Sequence, residues 1–315
     1  MVEYILGVDG GGTATQVRIC DKKGKIISEH EEGSGNYKNV GVKKAKVNIT
    51  RAVLKTLDKI EQKNKVFFKS ACFGLSGLDC EKDLEIYREM IFNEQLNKYL
   101  NIHKTIICND SRIGLAAGSK AKNAIMIICG TGSNCYGINE KEVEARVNGW
   151  DYILGDEGSG FIIGMKALKA VMRAYDGRSQ YTLLLKTILE YLNLDNATDL
   201  IGWTYANPFT ADRIASIAEI VCRTAEIGDR ESIKILKEEA EEALLSICTV
   251  ARKLELKGKK FDLVFVGKVF NCDKYFKQVL TRNLIKKFPM VSFKPLTEKP
   301  VSGAIKIAFK NIKCL

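Results

Sequence analysis

The chain has 315 residues and a mass of 35.1 kDa, room for about two domains of ~150 residues with a core each. This excludes a small module stapled by disulfides or metal. Apolar residues make up 46% and charged residues 28%, the balance of a globular chain rather than a disordered or fibrous one. The formal charge is +11, from 49 Lys+Arg against 38 Asp+Glu. The lysines are interleaved with acids, as in KKGKIISEHEE and KILKEEAEEA, so we expect a solvated surface that draws small anions, and no nucleic-acid partner.

The predicted elements open with strands at Tyr4–Val8, Gln16–Cys20 and Lys25–His30. A helix follows over about Asn39–Glu61, with Val40, Val47, Ala52, Leu54 and Leu57 as its apolar side. Then come a strand (Val66–Leu75), a helix (about Glu81–Leu100), a strand (Thr105–Cys108) and a helix opening near Ser111. Strands recur at Ala124–Cys129, Asn134–Ile138 and Val143–Val147, before a long helical stretch from Gly158 to about Leu256. The chain closes with a strand (Phe261–Val266), a helix (about Cys272–Lys287), a strand (Val291–Lys294) and a helix (Val301–Ile312).

The order βββαβαβα thus occurs twice, the second time with a helical insertion. Such a repeat predicts an α/β fold of two related lobes facing a central cleft, the usual place for a small ligand. We expect an N-terminal lobe over residues 1–118, with a C-terminal helix over 300–315 packing back on it. The second lobe is expected over 119–299, with its insertion at about 158–257.

The longest purely apolar run, Ala124–Cys129, falls far short of the ~20 residues of a bilayer span. The opening MVEYILGVDGGG lacks the basic start and apolar stretch of a secretion signal. A cytoplasmic protein that keeps off membranes is expected. The ten cysteines include no CxxC pair, and most, including Cys20, Cys72, Cys108, Cys129 and Cys248, lie in apolar runs, as free thiols do in a reducing compartment. With only His30 and His103, a zinc site or a Ser/His/Asp triad is not expected.

The first chemical signal is Asp9-Gly10-Gly11-Gly12-Thr13, set between two strands. A dinucleotide-binding glycine motif opens a helix, so these glycines belong to a hairpin turn. There, positive φ and bare backbone N–H groups can receive an anion; a plain tight turn is the other reading. The equivalent point of the second copy is Cys129-Gly130-Thr131-Gly132-Ser133-Asn134, and two such turns can grip a polyphosphate. No GxxxxGK[ST] segment is present. Asp110 ends Thr105–Asp110 just before a helix, where ligands of α/β sheets bind; it can act as a general base in phosphoryl transfer or merely cap that helix. Asn148-Gly149-Trp150 and Gly155-Asp156-Glu157-Gly158-Ser159-Gly160 offer close backbone approach and a carboxylate for sugar hydroxyls. Trp150 can lie on a sugar or on the core, and Asn36 in Gly33-Ser34-Gly35-Asn36 can serve a ligand or only a turn.

These residues resemble the sugar kinase, Hsp70 and actin ATPase superfamily over essentially the whole chain, and most closely its N-acetylglucosamine kinase members (BadF/BadG/BcrA/BcrD ATPase-like). The phosphate 1 motif resembles Asp9–Thr15, connect 1 Ile107–Gly118, phosphate 2 Cys129–Asn134, adenosine Val264–Phe270 and connect 2 Val301–Ala308. The signature GxGSN followed by GWxxxxGDEGS is similar to that of N-acetylhexosamine kinases. The resemblance implies an actin-like ATPase fold of two ribonuclease H-like lobes, ATP and Mg²⁺ as cofactors, and a cytoplasmic homodimer. The implied reaction is phosphorylation of the 6-hydroxyl of an N-acetylhexosamine, N-acetylglucosamine or N-acetylmuramic acid.

By the same resemblance Asp110 is the catalytic base and Asp9 holds the metal through water. Gly10, Gly11, Gly12 and Thr13, with Gly130, Thr131, Gly132 and Ser133, hold phosphates, and Gly267 lies at adenosine. Asn36, Ser76, Gly77, Asp110, Thr131, Gly149, Trp150 and Asp156 contact sugar. One departure is Gly267-Lys268, where much of the superfamily has a second glycine. Two alternatives remain open. One is an iron–sulfur ATPase activator of a 2-hydroxyacyl-CoA dehydratase, for which Cys129 and Cys135 are the thiols. The other is a non-catalytic sugar-sensing regulator.

Overall fold

The structure, a computed structural model, describes residues 2–61 and 63–313. In chain order the elements are β1 (Val2–Gly10), β2 (Ala14–Cys20), β3 (Ile26–Gly33), α1 (Tyr37–Val40), α2 (Val42–Asp58), β4 (Val66–Leu75), α3 (Glu81–Ile91), β5 (Thr105–Asn109) and α4 (Asp110–Gly118). They continue with β6 (Ala124–Cys129), β7 (Ser133–Ile138), β8 (Glu144–Val147), α5 (Asp151–Leu154), α6 (Gly160–Tyr175), α7 (Leu184–Leu192), α8 (Asp199–Thr204), α9 (Ala211–Glu226) and α10 (Arg230–Lys253). The last are β9 (Phe261–Val266), α11 (Gln278–Lys287), β10 (Val291–Pro295) and α12 (Pro300–Lys313).

The chain forms two compact units, Met1–Lys120 with Leu296–Leu315, and Ala121–Pro295. The first holds a sheet of order β3-β2-β1-β4-β5, the second one of order β10-β9-β6-β7-β8. Read from the other edge, the second is β8-β7-β6-β9-β10, the same winding: two antiparallel pairs, then two parallel ones. The internal repeat is therefore one of topology.

In the first unit, α2 and α3 cover one sheet face with a core that includes Leu6, Val8, Ile49, Val53, Phe73 and Tyr87. The opposite face carries α4 and α12 over Ile5, Cys72, Cys108, Ile113, Ala304 and Ile305. The helix expected over Asn39–Glu61 breaks at Gly41, whose φ of 80° ends α1. The buried side of α2 includes Ala45, Ile49, Ala52, Val53 and Leu57, whereas Val47 is exposed. In the second unit α10 packs on β6, β7 and β8, and α6 and α9 pack against α10 and each other. There α6 and α9 approach so closely that a Cβ on Gly164 would sit 2.1 Å from the Ile214 carbonyl oxygen.

Cys20, Cys72, Cys108, Cys129 and Cys248 are free thiols, but Cys222 and Cys272 form a disulfide. These two lie 50 residues apart in sequence, and packing of α9 beside the segment after β9 joins them. Among the described residues no helix is long and apolar enough to cross a membrane.

Candidate functional site

In the first unit, β1, β4 and β5 run parallel, so their carboxyl ends share one edge. Asp9 pairs with Gly74 and Gly74 with Cys108; one step on, Gly10 pairs with Leu75 and Leu75 with Asn109. The residues following these rows are Gly11–Thr13, Ser76–Gly77 and Asp110, gathered by topology alone. Asn109, not Asp110, is the N-cap of α4: its side chain accepts from the Ser111 N–H at 2.9 Å. Asp110 is thereby relieved of the capping role and stands as the first residue of the helix, half-buried.

Asp9, also half-buried, has its pKa pushed up to about 7, first by burial and then by the charge of Asp110. The two carboxyl groups form a pair whose joint ionisation is unfavourable.

The glycines of the Asp9–Thr13 turn do not adopt the expected positive φ, and neither do Gly130 and Gly132. They are needed for space. A Cβ on Gly10 would meet the Leu75 side chain at 2.5 Å, and one on Gly132 the Asp156 carboxylate at 2.7 Å. The turn carbonyls are consumed: Gly11 O accepts from the Gly35 N–H at 3.2 Å and from Ser34 Oγ, and Gly12 O from Asn39 Nδ2. Among the described residues the Gly12 and Thr13 N–H groups have no acceptor, so the turn offers two open N–H donors, as anion-binding concavities do.

Asn36 and Gly77 touch; a Cβ on Gly77, whose φ is 80°, would lie 2.7 Å from Asn36 Oδ1. Asn36 is also the N-cap of α1, accepting from the Lys38 N–H at 2.9 Å, so its turn role is real. Its Nδ2 carries the remaining donor capacity. Ser76 donates through its N–H and Oγ to the Gly10 carbonyl.

Two residues with no motif secure this arrangement. The Tyr87 hydroxyl, fully buried, donates to the Ser76 carbonyl at 2.7 Å and to that of Gly35 at 3.3 Å. Asp83 binds the Tyr37 hydroxyl, the Asp79 and Cys80 N–H groups and Lys38 Nζ. Burial pushes its pKa up, but these hydrogen bonds outweigh it and hold the carboxyl well below the usual range. The periodicity of α3 hides both among core positions.

In the second unit, β6 ends on Cys129 beside the end of β9. Gly267 follows β9 with φ of 110°, and a Cβ there would stand 2.2 Å from the Cys129 carbonyl oxygen. Lys268, at the departure noted above, is exposed. In the Gly130–Ser133 turn, Gly130 N–H donates to Gly132 O at 2.9 Å, and Gly160 N–H to Gly130 O at 2.8 Å. The Thr131 and Gly132 N–H groups have no acceptor among the described residues. Thr131 Oγ1 donates to Asp212 at the start of α9, at 2.5 Å, a partner that lies 81 residues away and carries no motif.

Asp156 joins this turn. It is buried and has φ of 66°; burial raises its pKa, opposed by a hydrogen bond from the Ser133 N–H. Asn148 Oδ1 accepts from the Gly149 and Asp156 N–H groups at 2.9 and 2.8 Å. Trp150 does not enter the core: it is 57% exposed, with the Arg146 guanidinium 5.2 Å from its ring centroid. Each unit thus gathers its own share of the singled-out residues at the carboxyl ends of its parallel strands.

Residues 6–308 match the BadF/BadG/BcrA/BcrD ATPase family. The chain belongs to that family. Over 98% of both chains it is 34% identical to the N-acetylmuramic acid/N-acetylglucosamine kinase of Clostridium acetobutylicum. It is 32% identical to the N-acetyl-D-glucosamine kinase of Dictyostelium discoideum over 99% of each. A solved N-acetylglucosamine kinase candidate from Chromobacterium violaceum superposes with a TM-score of 0.68 over 98% of this chain and 99% of that one, at 20% identity. The fold of this BadF/BadG/BcrA/BcrD family member is the actin-like ATPase fold of the sugar kinases, built from two α/β lobes with five-stranded mixed sheets.

Proposed function

We propose that the protein is an ATP-dependent kinase that phosphorylates the 6-hydroxyl of an N-acetylhexosamine, with N-acetylglucosamine as first acceptor and N-acetylmuramic acid, which adds a lactyl ether at O3, as second. The observation that carries the reading is Asp110, a carboxylate at the first position of α4 whose capping duty is taken by Asn109, in a chain 34% identical to a kinase of both sugars. The Asp110 carboxylate accepts the proton of the sugar hydroxyl. The freed oxygen attacks the γ-phosphorus, a new O–P bond forms, and the bond to the β-phosphate bridging oxygen breaks to release ADP.

The turns at Gly10–Thr13 and Gly130–Ser133 receive phosphate oxygens through backbone N–H groups. Asn36, Ser76, Gly77, Thr131, Gly149, Trp150 and Asp156 serve the sugar, and Gly267 leaves room at adenosine. A Mg²⁺ ion fits the first unit, because burial and the neighbouring Asp110 push the Asp9 pKa up to about 7, a penalty that a cation relieves. Among the described residues no cluster of three or more acidic, Cys or His side chains could hold a metal, so Asp9 would bind the ion through water and phosphate oxygens. When bound, the ion supplies charge neutralisation of the phosphates.

The iron–sulfur activator reading is not favoured: Cys129 and Cys135 are both wholly buried within the second unit, whereas a cluster held between two subunits needs thiols at the surface. An ADP-release assay across N-acetylglucosamine, N-acetylmuramic acid, glucosamine and glucose, with the phosphorylated position read by NMR, tests the proposal. We expect release with an N-acetylhexosamine and phosphate on O6; no release with either N-acetylated sugar overturns it.

A further inference from the structure

The loop from Asn148 to Gly158 places five residues in the left-handed region, all of them Asn, Asp or Gly, the types that enter it at least cost. Asn148, Asp151 and Asp156 have φ of 67°, 69° and 66°, and Gly149 and Gly158 lie at 74° and 85°. Asn and Asp tolerate that region but do not prefer it, so the contacts around the loop decide whether it is kept. Part of that restraint is local: Asn148 ties both ends of the loop, accepting from Gly149 and Asp156 and donating from Nδ2 to the Glu157 carbonyl at 3.0 Å.

The rest comes from a residue that no motif marks. The Gly158 N–H donates to Oε2 of Glu239 at 2.6 Å, across 81 residues of sequence. Glu239 is on α10 and 1% exposed, and its other oxygen lies 2.7 Å from Nζ of Lys166, on α6, an ion pair without hydrogen-bond alignment. Lys166 Nζ donates to Glu238 Oε2 at 2.9 Å. A Cβ on Gly158 would meet Ala243, one turn along α10 from Glu239, at 3.2 Å. A buried carboxylate is a poor device for stability alone, since apolar residues could pack the same helices without desolvating a charge. Here its two oxygens are divided between a loop amide and a cation.

We propose that Glu239, held by Lys166, is a positioning residue for sugar recognition. It fixes the turn after Asp156 so that this carboxylate keeps one orientation toward the acceptor. The inference rests on the sugar role proposed for Asp156.

The test is steady-state kinetics together with amide hydrogen exchange of residues 155–160. Glu239→Ala should raise KM for N-acetylglucosamine at least about tenfold, leave KM for ATP within about twofold, and speed exchange of the segment. In Glu239→Gln, an amide oxygen given to Gly158 leaves its NH₂ against the Lys166 ammonium, so the effect should be intermediate. Adding Lys166→Met removes that clash and should return KM for the sugar to within about threefold of wild type.

The proposal is overturned by an unchanged sugar KM despite faster exchange, by an equal rise in both KM values, or by a double variant no better than Glu239→Gln. If Glu239→Ala does not fold, the Gln variants decide by the same readouts. A wild-type protein that releases no ADP with any sugar counts against the kinase reading instead, because exchange and calorimetric sugar binding report on the loop without turnover.

Discussion

Asp110 and Asp9 are two carboxyl groups near enough for the charge of one to raise the pKa of the other. Asp110→Asn keeps the volume and removes the proton acceptor. We expect sugar binding by calorimetry to survive and kcat to fall at least ~100-fold, the lower range for general-base catalysis; near-normal turnover removes Asp110 from the role. For Asp9 the sign follows from its raised pKa, about 7 against an ordinary 3.8. Between those values the native state holds a proton that the unfolded chain has lost, so this group's contribution to stability falls as pH rises through the window. In chelator, Asp9→Asn should therefore gain about 2 kcal/mol over wild type at pH 8, after solvent screening, and nothing near pH 4. Equal melting differences at the two pH values would refute the shift. These two residues were visible in sequence because each directly follows an apolar strand. Glu239, Lys166, Asp83, Tyr87 and Asp212 were not: each acts on a residue 11 to 81 positions away, through contacts that only the folded helices create.

Strands and their order were legible because alternating and apolar runs are short and bounded by glycine or charged turns. Val66–Leu75 and Ala124–Cys129 have the predicted limits. Helix limits were less so. The stretch expected to continue to Leu100 ends at Ile91, because Asn93 turns the chain by accepting from Gln95 and Leu96 N–H groups. The glycine turns depart from expectation too: the motif suggests positive φ, while the folded turn needs the missing Cβ. The same logic governs the crossing of α4 and α12. A Cβ on Gly303 would lie 1.8 Å from the Ile113 carbonyl oxygen, and one on Gly74 2.4 Å from the Ile113 side chain. Gly303→Ala must therefore push α12 off the helix that begins with Asp110. We expect a loss of about 3 kcal/mol in stability and a fall in kcat larger than any change in KM, read by chemical denaturation and kinetics; wild-type values for both would show that the helices slide freely.

Across the whole molecule, the same winding appears twice, yet the two units are closed differently. The second is continuous, Ala121–Pro295, while the first takes Leu296–Leu315 from the far end of the chain. That segment covers Ile5, Cys72, Cys108 and Ile113. A chain ending at residue 295 should expose this face, bind a hydrophobic dye and lose activity, and a peptide of residues 296–315 added in trans should restore part of both; a fully active truncated chain would refute the dependence. This arrangement also sets a timetable on the ribosome. The second unit emerges whole and can fold as it leaves the exit tunnel, but the first waits for 176 further residues after Lys120, up to Leu296, before its missing segment begins. At ~5–20 residues per second that is a delay of about 9–35 s, during which half of a nascent sheet stays uncovered and within reach of cellular chaperones.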